Sequence, residues 1–221
     1  MDWDEHAERE EGRYADGNAR LPAEPDARQK QLVRVAMAAT GAGLARLMQG
    51  RRAEAAGWLA RSAERFRESY ADAPPGSWGR LIGAVKARVL AGDWEGAEAD
   101  ARWALAQSPA DAESPIGRYA AALAHLVLGE DAAARDLADG LGREPESAFP
   151  RPVAEVLAAL AGADAAAYCE AVGQVLASFE EREAYLEDVP VADTVVVLEA
   201  LAARRGLAAG LRSPLLPESP G

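Results

Sequence analysis

Apolar residues recur along this chain at three- and four-residue spacing, in runs that stop at glycine or proline. That period puts the apolar positions on one face of a helix. The runs predict about ten helical segments. The first, Trp3 to about Asp16, is polar and acidic. After a proline-bounded link at 21–25, Asp26 is expected to cap a long segment ending at Gly50. Further segments are expected over 53–70, 78–91, 94–107, 115–129, 131–141, 152–161 and 164 to about 187. Asp193 is expected to cap a last one ending at Gly206. Domain boundaries follow from the same pattern: an acidic N-terminal helix or arm with its link (1–25), a helical domain (26–206), and a proline- and serine-rich tail (207–221) with a loose end.

Four segments share one frame: a glycine, an alanine five residues on, and small or apolar residues four and eight positions after that. The sets are Gly50 with Ala55, Leu59 and Ala63; Gly92 with Ala97, Ala101 and Leu105; Gly129 with Ala134, Ala138 and Gly142; and Gly162 with Ala167, Ala171 and Val175. Glycine suits a chain that leaves a helix through a left-handed conformation. The alanine lets the returning helix approach closely. The expected fold is therefore all-α, with antiparallel helix hairpins stacked as an α-α superhelix.

Composition agrees. Apolar residues make up 49% of the chain, and much of that share is alanine, the best helix former. Trp58, Trp94 and Trp103 fall on hairpin helices, and at least two of them are expected to be largely buried.

Residues 92–109, GDWEGAEADARWALAQSP, resemble the second half of a tetratricopeptide repeat at Gly92, Asp93, Trp94, Ala97, Ala104, Leu105 and Pro109. The other three units match only the glycine and the alanines. The glycines are 42, 37 and 33 residues apart, against a family period of 34. The resemblance covers roughly residues 27–187 and implies a tetratricopeptide-like solenoid, whose concave surfaces bind peptides or proteins. A second resemblance lies in LEALAARRGLAAGLRSPLLP, residues 198–217. It looks like the C-terminal end of a bacterial immunity-protein family, number 49 in the polymorphic-toxin classification. That resemblance implies a helical inhibitor that neutralises a cognate toxin by binding it.

The net charge of −12 opposes nucleic-acid backbones and anionic membranes as partners. It also predicts relief of self-repulsion by salt, as in a salt-adapted cytoplasm. The start of the chain, MDWDEHAEREE, lacks the basic and apolar regions of a signal peptide, so the expected compartment is the cytoplasm. Cys169 stands alone, which excludes an intrachain disulfide, and it reads as a packing residue. His125 reads as a satisfied core or groove histidine, and His6 falls in the N-terminal arm. The chain shows no catalytic motif, metal set or cofactor motif. Binding is expected in preference to catalysis, with an enzyme built on unrecognised carboxylates as a third reading.

Two charge patterns remain. Glu180, Glu183 and Glu187 fall on one face of the expected 164–187 helix, either as a solvated acidic surface or as a site for a cation or basic partner. Arg80, Arg118 and Arg151 each stand 11 or 12 residues before the turn glycine of their hairpin. A cation in a first helical turn opposes the helix dipole. Either carboxylates of a neighbouring hairpin hold these arginines, or they form a row presented to a partner. With Lys86 and Tyr119, that row is the candidate binding strip for an acidic peptide or a C-terminal carboxylate.

Overall fold

A computed structural model of the protein describes residues 2–185 and 189–218. Among the described residues it is all-helical, with no strand. The helices are α1 (Trp3–Ala19), α2 (Pro25–Met48), α3 (Arg52–Tyr70), α4 (Trp78–Ala91), α5 (Trp94–Leu105), α6 (Pro115–Leu128), α7 (Asp131–Leu141), α8 (Arg151–Ala161), α9 (Ala165–Glu180) and α10 (Asp193–Ala203). Helices α1 to α9 each pack on the next in the chain. Helix α4 also touches α6, α6 touches α8, and α10 lies against α4, α8 and α9.

The turns explain the repeat frame and correct one unit of it. Gly50, Gly92 and Gly129 adopt φ of 73°, 71° and 74°, the left-handed region expected of them. Gly162 does not: its φ is −86°, and Ala163 takes the left-handed turn at φ 51°. The frame therefore counts from the left-handed residue rather than from glycine. Counted from Ala163, the three frame positions are Tyr168, Val172 and Leu176, and all are buried. Of the positions the glycine count selects, Ala167 is exposed, while Ala171 and Val175 are buried. The shift also moves the last spacing from 33 to 34 residues.

The core is built from alanine and leucine. The alanines at 55, 63, 97, 101 and 134 are fully buried, and leucines such as Leu59, Leu81, Leu123 and Leu157 fill the spaces between them. Backbones come close enough that Gly43, inside α2, faces the Leu59 side chain of α3 where a Cβ would stand. A tryptophan is too large for such seams. Trp58, Trp94 and Trp103 are only partly buried, against expectation. Each lies under an arginine, Arg61, Arg204 and Arg67 respectively, at 4.3–4.7 Å from guanidinium to ring. Such cation–π contacts suit the rim of a core.

Several other expectations change. The N-terminal segment is a helix docked on α2, capped by Asp2 and carrying the fully buried Glu10. His6 is therefore not in a free arm, and its ring sits 5.6 Å from that of Trp3. Glu24, not Asp26, caps α2, because Pro25 starts the helix and puts Asp26 in its first turn. Cys169 is exposed, since its neighbour Tyr168 takes the inward direction on α9. Helix α9 ends at Glu180, so Glu180 and Glu183 do not share a helical face, and Glu187 lies outside the described residues. Glu180 instead accepts from the Ser213 hydroxyl at 2.7 Å.

The proline-rich tail is docked up to residue 217. Leu215 accepts from the Ala192 amide at 2.9 Å. Glu199 of α10 accepts from the Ala209 and Gly210 amides and, at 2.6 Å, from the hydroxyl of Tyr168. The stretch 198–217 thus forms the end of α10 and a strap held by the Glu199 and Glu180 carboxylates and the Ala192 amide. No helix among the described residues is long and apolar enough to cross a membrane.

Candidate functional site

Helix α4 is where the sequence-selected residues and the cavities meet. Its first turn carries Arg80, and Lys86 lies almost two turns on. On one side stand α2 and α3, which contribute Val33, Met37, Thr40 and Phe66. On the other side stands α10, which contributes Asp193, Val196 and Ala200 at helical spacing. Two cavities, of about 410 and 640 Å³, lie along α4 and share Leu90. Together they form a groove with α4 as its floor. At 1.5 Å per residue, the 14 residues of α4 make it about 21 Å long. Gly83 helps to shape it, because the Phe66 ring occupies the space where a Cβ would stand.

The groove is apolar along its floor and cationic at both ends. At the start of α4, Arg80 donates to the Ser69 carbonyl and to the Gln29 side-chain oxygen. Gln29 is buried and in turn donates to Asp26 at 3.0 Å. No carboxylate reaches the Arg80 guanidinium directly among the described residues. Burial lowers the Arg80 pKa, partly offset by Tyr70. At the far end, Arg52 and Arg204 line the larger cavity beside Trp94.

Lys86 stands in the middle of the groove. Its ammonium donates to Asp193 at 2.5 Å and to the Thr194 hydroxyl at 3.0 Å. Burial alone would lower its pKa, but Asp193 and Tyr119 outweigh burial and raise it. Asp193 is therefore not a helix cap, as the sequence suggested. It is the first residue of α10, and its carboxylate is taken up by Lys86. Burial raises the pKa of Tyr119, whose ring lies 5.5 Å from that of Phe149.

No protein-family model, curated protein or solved structure matches this chain.

The structure brings Arg80, Lys86 and Tyr119 to one region and sends Arg118 and Arg151 elsewhere. Arg118 is ion-paired with Glu144, beyond the end of α7, and lines neither groove cavity. Arg151 is exposed at the first residue of α8, where its backbone amide donates to Glu146. For Arg118 the cause is a one-residue offset. Counted back from the turn, Arg80 stands 12 residues before Gly92, whereas Arg118 stands 11 before Gly129. One residue rotates a side chain by about 100° on a helix. The α4 residue matching Arg118 is Leu81, fully buried, and the α6 residue matching Arg80 is Gly117, also buried. Sequence spacing alone missed Asp193, Arg204 and the α2 wall, because nothing local links them to α4.

Proposed function

We propose that this protein is a non-enzymatic helical-repeat module that binds a segment of a protein partner in the groove along α4. The observation that carries the reading is the pair of cavities that meet at Leu90 along α4, bordered by α2 and α10, with arginines at both ends. A groove of about 21 Å matches six or seven extended residues at roughly 3.3 Å each. Its cationic ends favour a segment with acidic residues, in a chain whose overall negative charge repels acidic partners elsewhere. The recurrent turns and the contacts of α4 with α6 and α6 with α8 support a tetratricopeptide-like stack as the scaffold.

The test is selection of peptides from a random display library on the full chain. Peptides combining apolar and acidic residues should be enriched. Arg80→Glu and Arg204→Glu should each weaken them at least tenfold. Arg102→Glu, on an exposed α5 position, should leave them unchanged. Selection of no peptide, or binding indifferent to both groove variants, would remove the reading.

A further inference from the structure

We propose that the end of the groove at the start of α4 is a binding site for a small amphipathic carboxylate: an unbranched apolar chain of medium length ending in COO⁻. The proposal stands apart from the peptide reading, since the cavity at this end has the size and polarity of a small-ligand site by itself.

Arg80 is the starting point. The other buried or half-buried arginines, at 28, 46, 65, 88, 118 and 205, each lie within 4 Å of a carboxylate of this chain. Arg80 is half-buried and meets only neutral oxygens, from Gln29 and the Ser69 backbone. Its charge is thus the one half-buried guanidinium charge among the described residues left without a direct counter-ion. A desolvated charge in that condition gains most from an anion supplied from outside.

The wall beside Arg80 is open: nothing lies within 4 Å of a would-be Cβ at Gly79, in the same first turn of α4. The amides of Trp78 and Arg80 are already taken up by the Gly76 and Ser77 carbonyls, and the Ser77 hydroxyl donates to the Pro74 carbonyl at 2.7 Å. The Arg80 guanidinium is therefore the positive pole of the site, and it balances a single negative charge. A carboxylate fits that balance better than a phosphate dianion.

Behind this pole the cavity is apolar, walled by Val33, Met37, Phe66, Ile82, Ala87 and Leu90. Its polar groups are already engaged: Thr40 bonds to Ser62 and the Ala36 carbonyl, and Lys86 to Asp193. The site thus has one charged end and one apolar body. From Arg80 to Ala87 the helix rises about 10 Å, and the volume of about 410 Å³ falls in the range of small-molecule sites.

The experiment is calorimetric titration of the full chain with sodium decanoate, with decanol as the neutral control. Decanoate should saturate one site and bind at least tenfold more tightly than decanol. Arg80→Gln should weaken decanoate at least tenfold while leaving decanol unchanged. Ile82→Trp, which fills the apolar body without touching Arg80, should abolish binding of both and decides the matter if Arg80→Gln does not fold. No saturation by decanoate at millimolar concentration, equal affinity for decanol, or undiminished binding in a folded Arg80→Gln variant would each overturn the proposal. Peptide binding that persists when decanoate fails would leave the groove reading standing and remove this one alone.

Discussion

Lys86 of α4 and Asp193 of α10 meet at 2.5 Å, although they lie 107 residues apart in the chain. The pair joins the floor of the groove to the helix that forms its wall. Both side chains are mostly buried, at 14% and 23% exposure. Removing one partner leaves a desolvated charge. Asp193→Asn should therefore cost about 2–3 kcal/mol in urea denaturation. The double variant Lys86→Met, Asp193→Leu should recover most of that loss. A single-variant loss below about 0.5 kcal/mol would mean that α10 is held by its apolar face alone.

The turn between α8 and α9 predicts an unusual glycine response. Ala163 holds a left-handed conformation, which costs an L-residue about 1–2 kcal/mol. Ala163→Gly should raise stability by up to about 1 kcal/mol, since glycine's extra chain entropy offsets part of the relief. Gly162→Ala should stay within about 0.5 kcal/mol, because its φ is ordinary and the obstructing group is the flexible end of Arg135. Gly92→Ala should lose about 1 kcal/mol or more. Denaturant midpoints of the three variants check the ordering, and a stabilising Gly92→Ala would contradict it.

Asp100 is 2% exposed and lies between Arg67 of α3 and Arg88 of α4. It holds three successive helices together. Asp100→Ala should cost about 3–5 kcal/mol, the usual effect of breaking a buried ion pair. Arg102→Ala, which loses only an exposed pair with Glu98 on the same helix, should cost under about 0.5 kcal/mol. Similar losses for the two would show that the Asp100 cluster is no more than a surface pair.

Tyr168 is fully buried and donates to Glu199, which also holds the Ala209 and Gly210 amides of the tail. Tyr168→Phe should cost about 1.5–3 kcal/mol, the range for a bond to a charged acceptor. The tail amides should also exchange faster with solvent. Unchanged exchange at Ala209 and Gly210 would show that the strap does not depend on this bond.

Three groups contribute to the alkaline limit. Tyr168 and Tyr119 have raised pKa values, with burial as the main cause. That of Lys86 is also raised: burial opposes the rise, and Asp193 and Tyr119 overcome it. In the unfolded chain all three lose their protons near pH 10. The folded state therefore binds more protons above that pH. The stability these groups supply is full below about pH 10 and is lost as pH rises through their folded values. The urea midpoint should fall between pH 9 and 11, and less steeply in Tyr168→Phe. A midpoint that rises over that interval would contradict the assignment.

The sequence by itself determined the helices and most of their ends. Periodicity and punctuation are local properties, so α4 and α7 begin and end where the chain pattern puts them. The left-handed turns at Gly50, Gly92 and Gly129 were equally legible, because glycine is the residue for which that conformation carries no steric penalty. Tertiary structure decided what depends on direction. A single residue of offset turned Arg118 toward Glu144 while Arg80 stayed on the groove. Ala163 took a turn that glycine could have made. Tryptophans expected inside went to the rim, because alanine-lined seams are too narrow for an indole. The groove has the same origin. Its floor was readable on α4, but its walls come from α2 and α10, which only packing brings beside it. Helix period is fixed by backbone geometry within a few residues, whereas the partner of each face is fixed by which distant surfaces fit together.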